Sequence, residues 1–239
     1  MAAKNSRCWR SIACVTALLA GVASSSARAD DNGKRQDGEG QYAQLTALWW
    51  QWIFAQPAID VGGTNTNPVL DSTGAYATVG QENGIGPGDK TFFLAGTFGG
   101  DAERAVTVPH GKTLFLPVLN ADCDNASDPP TNWSVPELRA QAKAAIDNPR
   151  YAYACLDGAP LEIFRTKSPT FTYTVPDEDS IYAYSGSVGP QFEGTIKPAV
   201  SDGYWVSIPP LPPGTYLLEF GGVRSNGFSL NVTYHLTIE

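Results

Sequence analysis

Residues 204–220 read YWVSIPPLPPGTYLLEF, two short apolar runs on either side of a proline-rich turn. Tyr204–Ile208 and Thr215–Phe220 have the length of strands, and Pro212-Pro213-Gly214 supplies the reversal between them. In the second run Tyr216, Leu218 and Phe220 share one face and Glu219 takes the other. That alternation predicts a strand with one side in a core.

The same pattern extends in both directions. Downstream, Phe228–Ile238 predicts a further strand; upstream, Leu161–Arg165, Thr170–Val175 and Ile181–Ser185 do, with turn signals at Asp157-Gly158 and Asp202-Gly203. Earlier still, Thr91–Ala95, Ala105–Val108 and Thr113–Leu119 are separated by Gly99-Gly100 and by Pro109-His110-Gly111, which predicts a meander. Many short strands and few helices define the expected fold class: mainly β, an antiparallel β-sandwich of jelly-roll or Ig-like type.

Two helices are expected beside the strands. From Tyr42 to Gln56, Leu45, Leu48, Trp49, Trp52 and Ile53 recur at helical spacing while Trp50 and Phe54 occupy the opposite face, so this N-terminal helix is apolar nearly all round and belongs in the interior. Pro57 stops it. The second helix follows Ser134 and Glu137, a capping-box spacing, and runs through Leu138–Ile146 to Asn148-Pro149.

The N-terminus carries Lys4, Arg7 and Arg10, then an apolar run from Ile12 to Ala23, then Ala27-Arg28-Ala29. A charged segment, a short apolar segment and an A-x-A site form a signal peptide, here residues 1–29. The run is too short and too broken to stay as a membrane anchor, so no stable membrane insertion is expected after cleavage. Residues 30–40 hold no large apolar side chain and are expected to form a mobile tail, leaving 41–239 as a single β-rich domain. The mature protein would be exported, periplasmic or extracellular.

Four of the 16 basic residues leave with the signal and all 24 acidic ones stay, so the mature chain is strongly acidic. That excludes nucleic acid and anionic lipid as natural partners, because both require basic surface. Cys123 and Cys155 are the cysteines that survive cleavage. In an oxidising compartment they are expected to form a disulfide bracketing the second helix, with roughly 3–4 kcal/mol of stabilisation from loop closure.

Candidate chemistry is sparse. Asn120, Asp122, Asp124 and Asp128 occupy relative positions one, three, five and nine of a calcium-loop spacing. Thr131 stands where such a loop needs a bidentate Glu and Asn125 where it needs Gly, so an acidic loop tied down by Cys123 is the better reading and calcium the one cation in view. Glu162, Glu193 and Glu219 lie in or beside predicted strands and could pair for glycoside hydrolysis; alternation equally explains each as a solvated strand position. His110 sits in a turn and His235 in the last strand, an arrangement expected to leave both in ordinary structural positions. Ser185–Gly189 and Val69–Gly74 only approximate the nucleophile-elbow and aspartic-protease patterns.

Trp49-Trp50-Gln51-Trp52, Asn67-Pro68 with Asp71 and Gly74, Phe93-Leu94-Ala95-Gly96-Thr97-Phe98-Gly99-Gly100, and Val108-Pro109-His110-Gly111-Lys112 leading to Phe115-Leu116-Pro117-Val118 resemble segments of a family of uncharacterised exported bacterial proteins. The resemblance covers the first half of the mature chain. It implies export, carries over no catalytic residue, and places cysteines of relatives where Ala77 and Ala105 stand here.

The leading expectation is a non-enzymatic exported module that binds a ligand, a glycan or another envelope protein. A polysaccharide hydrolase using two of the three glutamates and a calcium-stabilised structural domain are the alternatives. Mass spectrometry of the protein after export should give a chain beginning at Asp30; a different first residue refutes the cleavage site.

Overall fold

The computed structural model describes residues 31–59, 63–81, 89–127, 130–176 and 179–239, with side chains from residue 40 onward. The signal peptide lies outside the described residues.

Helix α1 (Asp31–Ala55) is followed by a long loop and then by β1 (Thr91–Phe93), β2 (Gly100–Val108) and β3 (Thr113–Cys123). Helix α2 (Val135–Ile146) leads to β4 (Tyr151–Leu156), β5 (Ala159–Pro160), β6 (Phe164–Lys167) and β7 (Phe171–Val175). The short α3 (Ile181–Tyr184) precedes β8 (Gly194–Ile208), β9 (Gly214–Val223) and β10 (Ser229–Ile238).

The strands form two sheets packed as a sandwich. The first has the order β1-β3-β8-β6, with β7 paired to the other half of β8; the second has the order β2-β10-β9-β4-β5. Most pairs are antiparallel as expected, but β1 with β3 and β2 with β10 run parallel, so both sheets are mixed. The expected meander over residues 91–119 does not form either. β1 and β3 join the first sheet while β2 crosses to the second, and burial shows why: β1 is buried at every position, whereas β2 alternates between buried and exposed. A strand covered on both faces belongs between layers, and an alternating one belongs on an outer layer.

Two apolar interiors result. Leu114, Leu116 and Val206 of the first sheet meet Val106, Phe220 and Leu236 of the second. On the other face of the first sheet, Phe93, Phe115 and Trp205 meet Trp49, Trp52 and Ile53 of α1. The helix therefore forms a third layer, and its all-round apolar character is used: Trp49, Trp50, Trp52, Ile53 and Phe54 are all buried. Trp49 packs edge-on against Trp205 with ring centroids 5.7 Å apart.

Three expectations are corrected locally. The helix begins at Asp31, so residues 31–40, read as a mobile tail, continue α1; extending an existing helix orders one residue per added hydrogen bond, which polar residues tolerate. Residues 181–184 are helical, not a strand, because the Ser180 hydroxyl accepts from the Ala183 amide at 3.2 Å and caps a turn. The Cys123–Cys155 disulfide does not form. Cys123 is a free thiol at the end of β3, packed beside Leu138, Ala142 and Val200 under α2. Cys155 belongs to the second sheet, where its neighbour Ala154 takes the core-facing position and alternation turns Cys155 to the other face.

The loop after α1 is a stitched structure. The Asn67 amide donates to the Ile53 and Gln56 carbonyls at 2.9 and 3.1 Å, satisfying acceptors that the helix end leaves free. Gln81 exchanges two bonds with the backbone of Phe93, at 2.8 Å each, and so acts as a partner for β1. Between them Asp71 accepts from the amides of Thr73, Gly74 and Tyr76 and from the Thr73 hydroxyl, at 2.7–2.9 Å. Burial pushes the Asp71 carboxyl up, but these bonds together outweigh it and hold it below the usual carboxylate range.

Gly74 sits at φ +96°, and a Cβ there would lie 2.4 Å from the Ala105 carbonyl oxygen. Gly63, at φ +80°, has open space around it. Gly74→Ala should therefore cost more than Gly63→Ala in urea unfolding, by about 2 kcal/mol beyond the shared backbone strain. Equal midpoints would refute the close approach.

Candidate functional site

The second half of β3 pairs with β8 so that Asn120 faces Gly203 and Asp122 faces Ser201. Alternation along β8 puts Ser201, Gly203 and Trp205 on one side of the first sheet, the side covered by α1. Asn120 and Asp122 share that side with them. Gly203 lets Asn120 and Trp205 pack closely there: a Cβ would fall 2.7 Å from the Asn120 Cβ and 2.9 Å from the Trp205 Nε1.

Polar groups in this region lack partners to an unusual degree. The buried side-chain atoms without a hydrogen bond among the described residues are Trp50 Nε1, Asn120 Nδ2, Ser201 Oγ, Trp205 Nε1 and Arg224 Nε. Four of these five residues lie on that one side of the sheet or on the helix above it, and the fifth, Arg224, donates through Nη2 to the Asn120 carbonyl. Buried polar groups are otherwise almost always paired, so such a concentration makes this region the candidate site.

A cavity of about 310 Å³ is lined by Trp50, Asn120, Asp122 and Arg224, with Phe98 and Phe228 among its apolar walls. A second cavity of about 550 Å³ is lined by Phe54, Phe98, Asp122, Asp124, Tyr182 and Tyr184. Asp122 and Phe98 line both, so the two adjoin there and are treated as the lobes of one cleft. Phe98 is 50% and Tyr184 53% exposed, which makes them an accessible aromatic rim. A wider depression of about 630 Å³ crosses the outer face of the second sheet along Thr107, Thr215, His235 and Thr237. None of the unpartnered atoms lies in it.

The two carboxyl groups in the cleft have different surroundings. Asp122 is mostly buried, and its burial, with Asp124 nearby, pushes it up to about 8; Arg224 pulls in the opposite direction but less. Asp124 is also raised by burial, while hydrogen bonds from the Tyr173 and Tyr182 hydroxyls and from the Ala126 amide counter part of that rise. Phe54 stacks on Tyr173 at 4.2 Å between centroids and fixes that phenol in place. Both phenols are themselves raised by burial and remain donors. Burial and then the two aspartates push the Cys123 thiol to about 12, so it stays protonated and is a poor nucleophile.

Of the sequence-predicted residues, the structure brings Asn120, Asp122 and Asp124 together, though not as a calcium loop. Asn120 and Asp122 are in strand β3, and the Asp124 oxygens are already engaged by two phenols and an amide. Asp128 lies outside the described residues. Glu162 and Glu193 are exposed on separate connections, and Glu219 is buried in β9 opposite Cys155 and Thr233. No hydrogen bond links any two of them among the described residues, and they occupy different sheets and edges. His110 is in an exposed turn, and His235 lies 2.9 Å from Glu103 on the outer face of the second sheet. Arg224, Phe98, Tyr173 and Tyr182 carry no site motif in the sequence. A cation in so acidic a chain is the one signal that Arg224 offers there.

No family model matches the chain, and neither does any curated protein or solved structure.

Asp122 gives the cleft a pH signature. Between 3.8 and about 8 the folded chain holds a proton at Asp122 that the unfolded chain has released, so stability falls as pH rises through that interval. Asp124, raised as well, acts in the same direction. Asp71, held low, loses its contribution only in acid, below this interval. The melting temperature should therefore drop from about pH 5 to about pH 8.5, and Asp122→Asn should flatten that drop. An identical slope in the variant would remove Asp122 as the cause.

Proposed function

We propose that the protein is an exported binding module for small polyhydroxylated ligands, glycans foremost. The observation that carries this reading is a cavity with aromatic walls lined by three residues, Trp50, Asn120 and Arg224, that each carry a buried donor without a partner. Ligand sites are typically concave, largely apolar and furnished with a few convergent polar groups, and a volume near 300 Å³ falls at the small end of their range. Hydroxyl and ring oxygens of a sugar satisfy N–H donors, and its apolar face stacks on rings such as Phe98.

A ligand fully bonded at these atoms would return to the interior the hydrogen bonds it lacks, which is where its affinity originates. The acidic surface and the reading of residues 1–29 as a signal peptide accord with a protein that acts outside the cytoplasm. The hydrolase reading loses ground because Glu162, Glu193 and Glu219 do not converge on the cleft.

Thermal-shift and calorimetric screening against soluble mono- and oligosaccharides tests the reading directly. Phe98→Ala should weaken any sugar that binds by about tenfold while leaving the urea midpoint of this half-exposed residue nearly unchanged. Binding that is indifferent to Phe98 would place the ligand elsewhere, and the absence of binding across the panel would overturn the proposal.

A further inference from the structure

The donor set at the inner cavity is one-sided. An indole N–H and a guanidinium N–H can only donate, and Asn120 presents its free nitrogen, so Trp50, Asn120 and Arg224 all ask for acceptor atoms. Neutral sugars offer hydroxyls that both donate and accept, and such groups would use only half their capacity against donors alone. A carboxylate is an acceptor at every lone pair and matches a guanidinium in charge and in planar geometry.

The surroundings of Arg224 point the same way. Its Nη2 is held by the Asn120 carbonyl and its guanidinium lies 4.5 Å from the Phe228 ring centroid, so the group is fixed while its Nε remains without a partner. No salt bridge neutralises it among the described residues. Burial pushes the carboxyl group beside it in the cavity, Asp122, up to about 8, which reduces the negative charge an anion would meet there. Asp124, in the other lobe, is covered by the two phenols and the Ala126 amide.

Resting on the glycan-binding reading above, we infer that the inner cavity takes the carboxylate of a sugar acid, held by the side chains of Arg224, Asn120 and Trp50, with the sugar ring extending toward Phe98. The ligand class is thus a uronic acid or an oligosaccharide that ends in one. The two-lobed shape accommodates this: the 310 Å³ lobe holds the acid-bearing ring and the 550 Å³ lobe receives the adjoining sugar of an oligosaccharide.

Isothermal titration of the full exported chain at neutral pH with glucuronate and galacturonate, against glucose, galactose and acetate, tests the inference. A uronate should bind at least about tenfold tighter than its neutral counterpart, the scale of one charge-assisted hydrogen bond. Arg224→Gln should erase that preference, and Arg224→Lys, which keeps the charge without Nε, should retain only part of it. Circular dichroism of each variant establishes that it folds; if Arg224→Gln does not, the lysine variant and the uronate-to-neutral ratio in the wild type still decide the matter.

Equal binding of uronates and neutral sugars overturns the inference and leaves the glycan reading standing. Acetate binding as tightly as a uronate shows that the ring contributes nothing and overturns the sugar-acid assignment. No binding by any sugar or sugar acid overturns both.

Discussion

The guanidinium of Arg104 is the constraint on which the rest of the molecule depends. It is 1% exposed, and among the described residues it is satisfied almost entirely by backbone oxygens. Nε donates to the Asp71 carbonyl at 2.7 Å, Nη1 to the Ala95 carbonyl at 2.6 Å and the Tyr234 hydroxyl at 2.7 Å, and Nη2 to the Gly96 carbonyl at 3.1 Å. Tyr234 in turn donates to the Ala95 carbonyl at 2.9 Å and accepts from the Ala95 amide at 3.1 Å. Taking a cation out of water is expensive unless each of its protons finds an acceptor, so the acceptors must all be in place together. Through this one group β2 and β10 of the second sheet are tied to the chain leaving β1 of the first and to the loop after α1.

That requirement explains why the loop is built as it is. Asp71 spends its side chain on four local donors, which shapes the turn whose own carbonyl Arg104 needs. Gly74 lets the turn approach the backbone of β2 at Ala105, and Asn67 and Gln81 hold its two ends to α1 and β1. The consequence reaches the cleft. Thr97 and Phe98 come directly after Ala95 and Gly96, which Arg104 and Tyr234 hold, so the aromatic rim is anchored at its base even though Phe98 itself meets solvent.

Local pattern in the sequence reveals the elements, and the arrangement of those elements depends on contacts that pattern does not encode. The apolar helix around Trp49 and Trp52, the alternating strand Tyr216–Phe220 and the Ser134–Glu137 helix start are all present, because spacing and capping act within a few residues. The meander fails because the full burial of β1 and the alternating burial of β2 assign them to different layers, and a strand as short as β1 is too brief to show that difference. Ile181–Ser185 reads as strand by composition, yet one hydroxyl on Ser180 caps Ile181–Tyr184 as a helical turn. Cys123 and Cys155 pair on compartment and count alone; their strands lie in different sheets. Asp122 and Asp124 are legible as an oxygen cluster but not as neighbours of Arg224, which is far along the chain and arrives through the β9–β10 hairpin.

The distribution of satisfied and unsatisfied polar atoms separates the two buried polar clusters by purpose. Around Arg104 each nitrogen named above has an acceptor, and the cluster closes on itself with nothing left to offer. In the region of Asp122, Trp50, Asn120, Ser201, Trp205 and Arg224 each keep a buried side-chain atom without a partner among the described residues. A core selected only for stability would replace an unpaired indole or amide with an apolar side chain of similar volume, since that exchange removes a desolvation penalty without losing packing. Gly203 shows how tightly the region is packed, because a Cβ there would collide with Asn120 and Trp205. Unpartnered donors and an anchored aromatic rim come together in the cleft beneath α1, and the stability of the chain alone does not account for those donors.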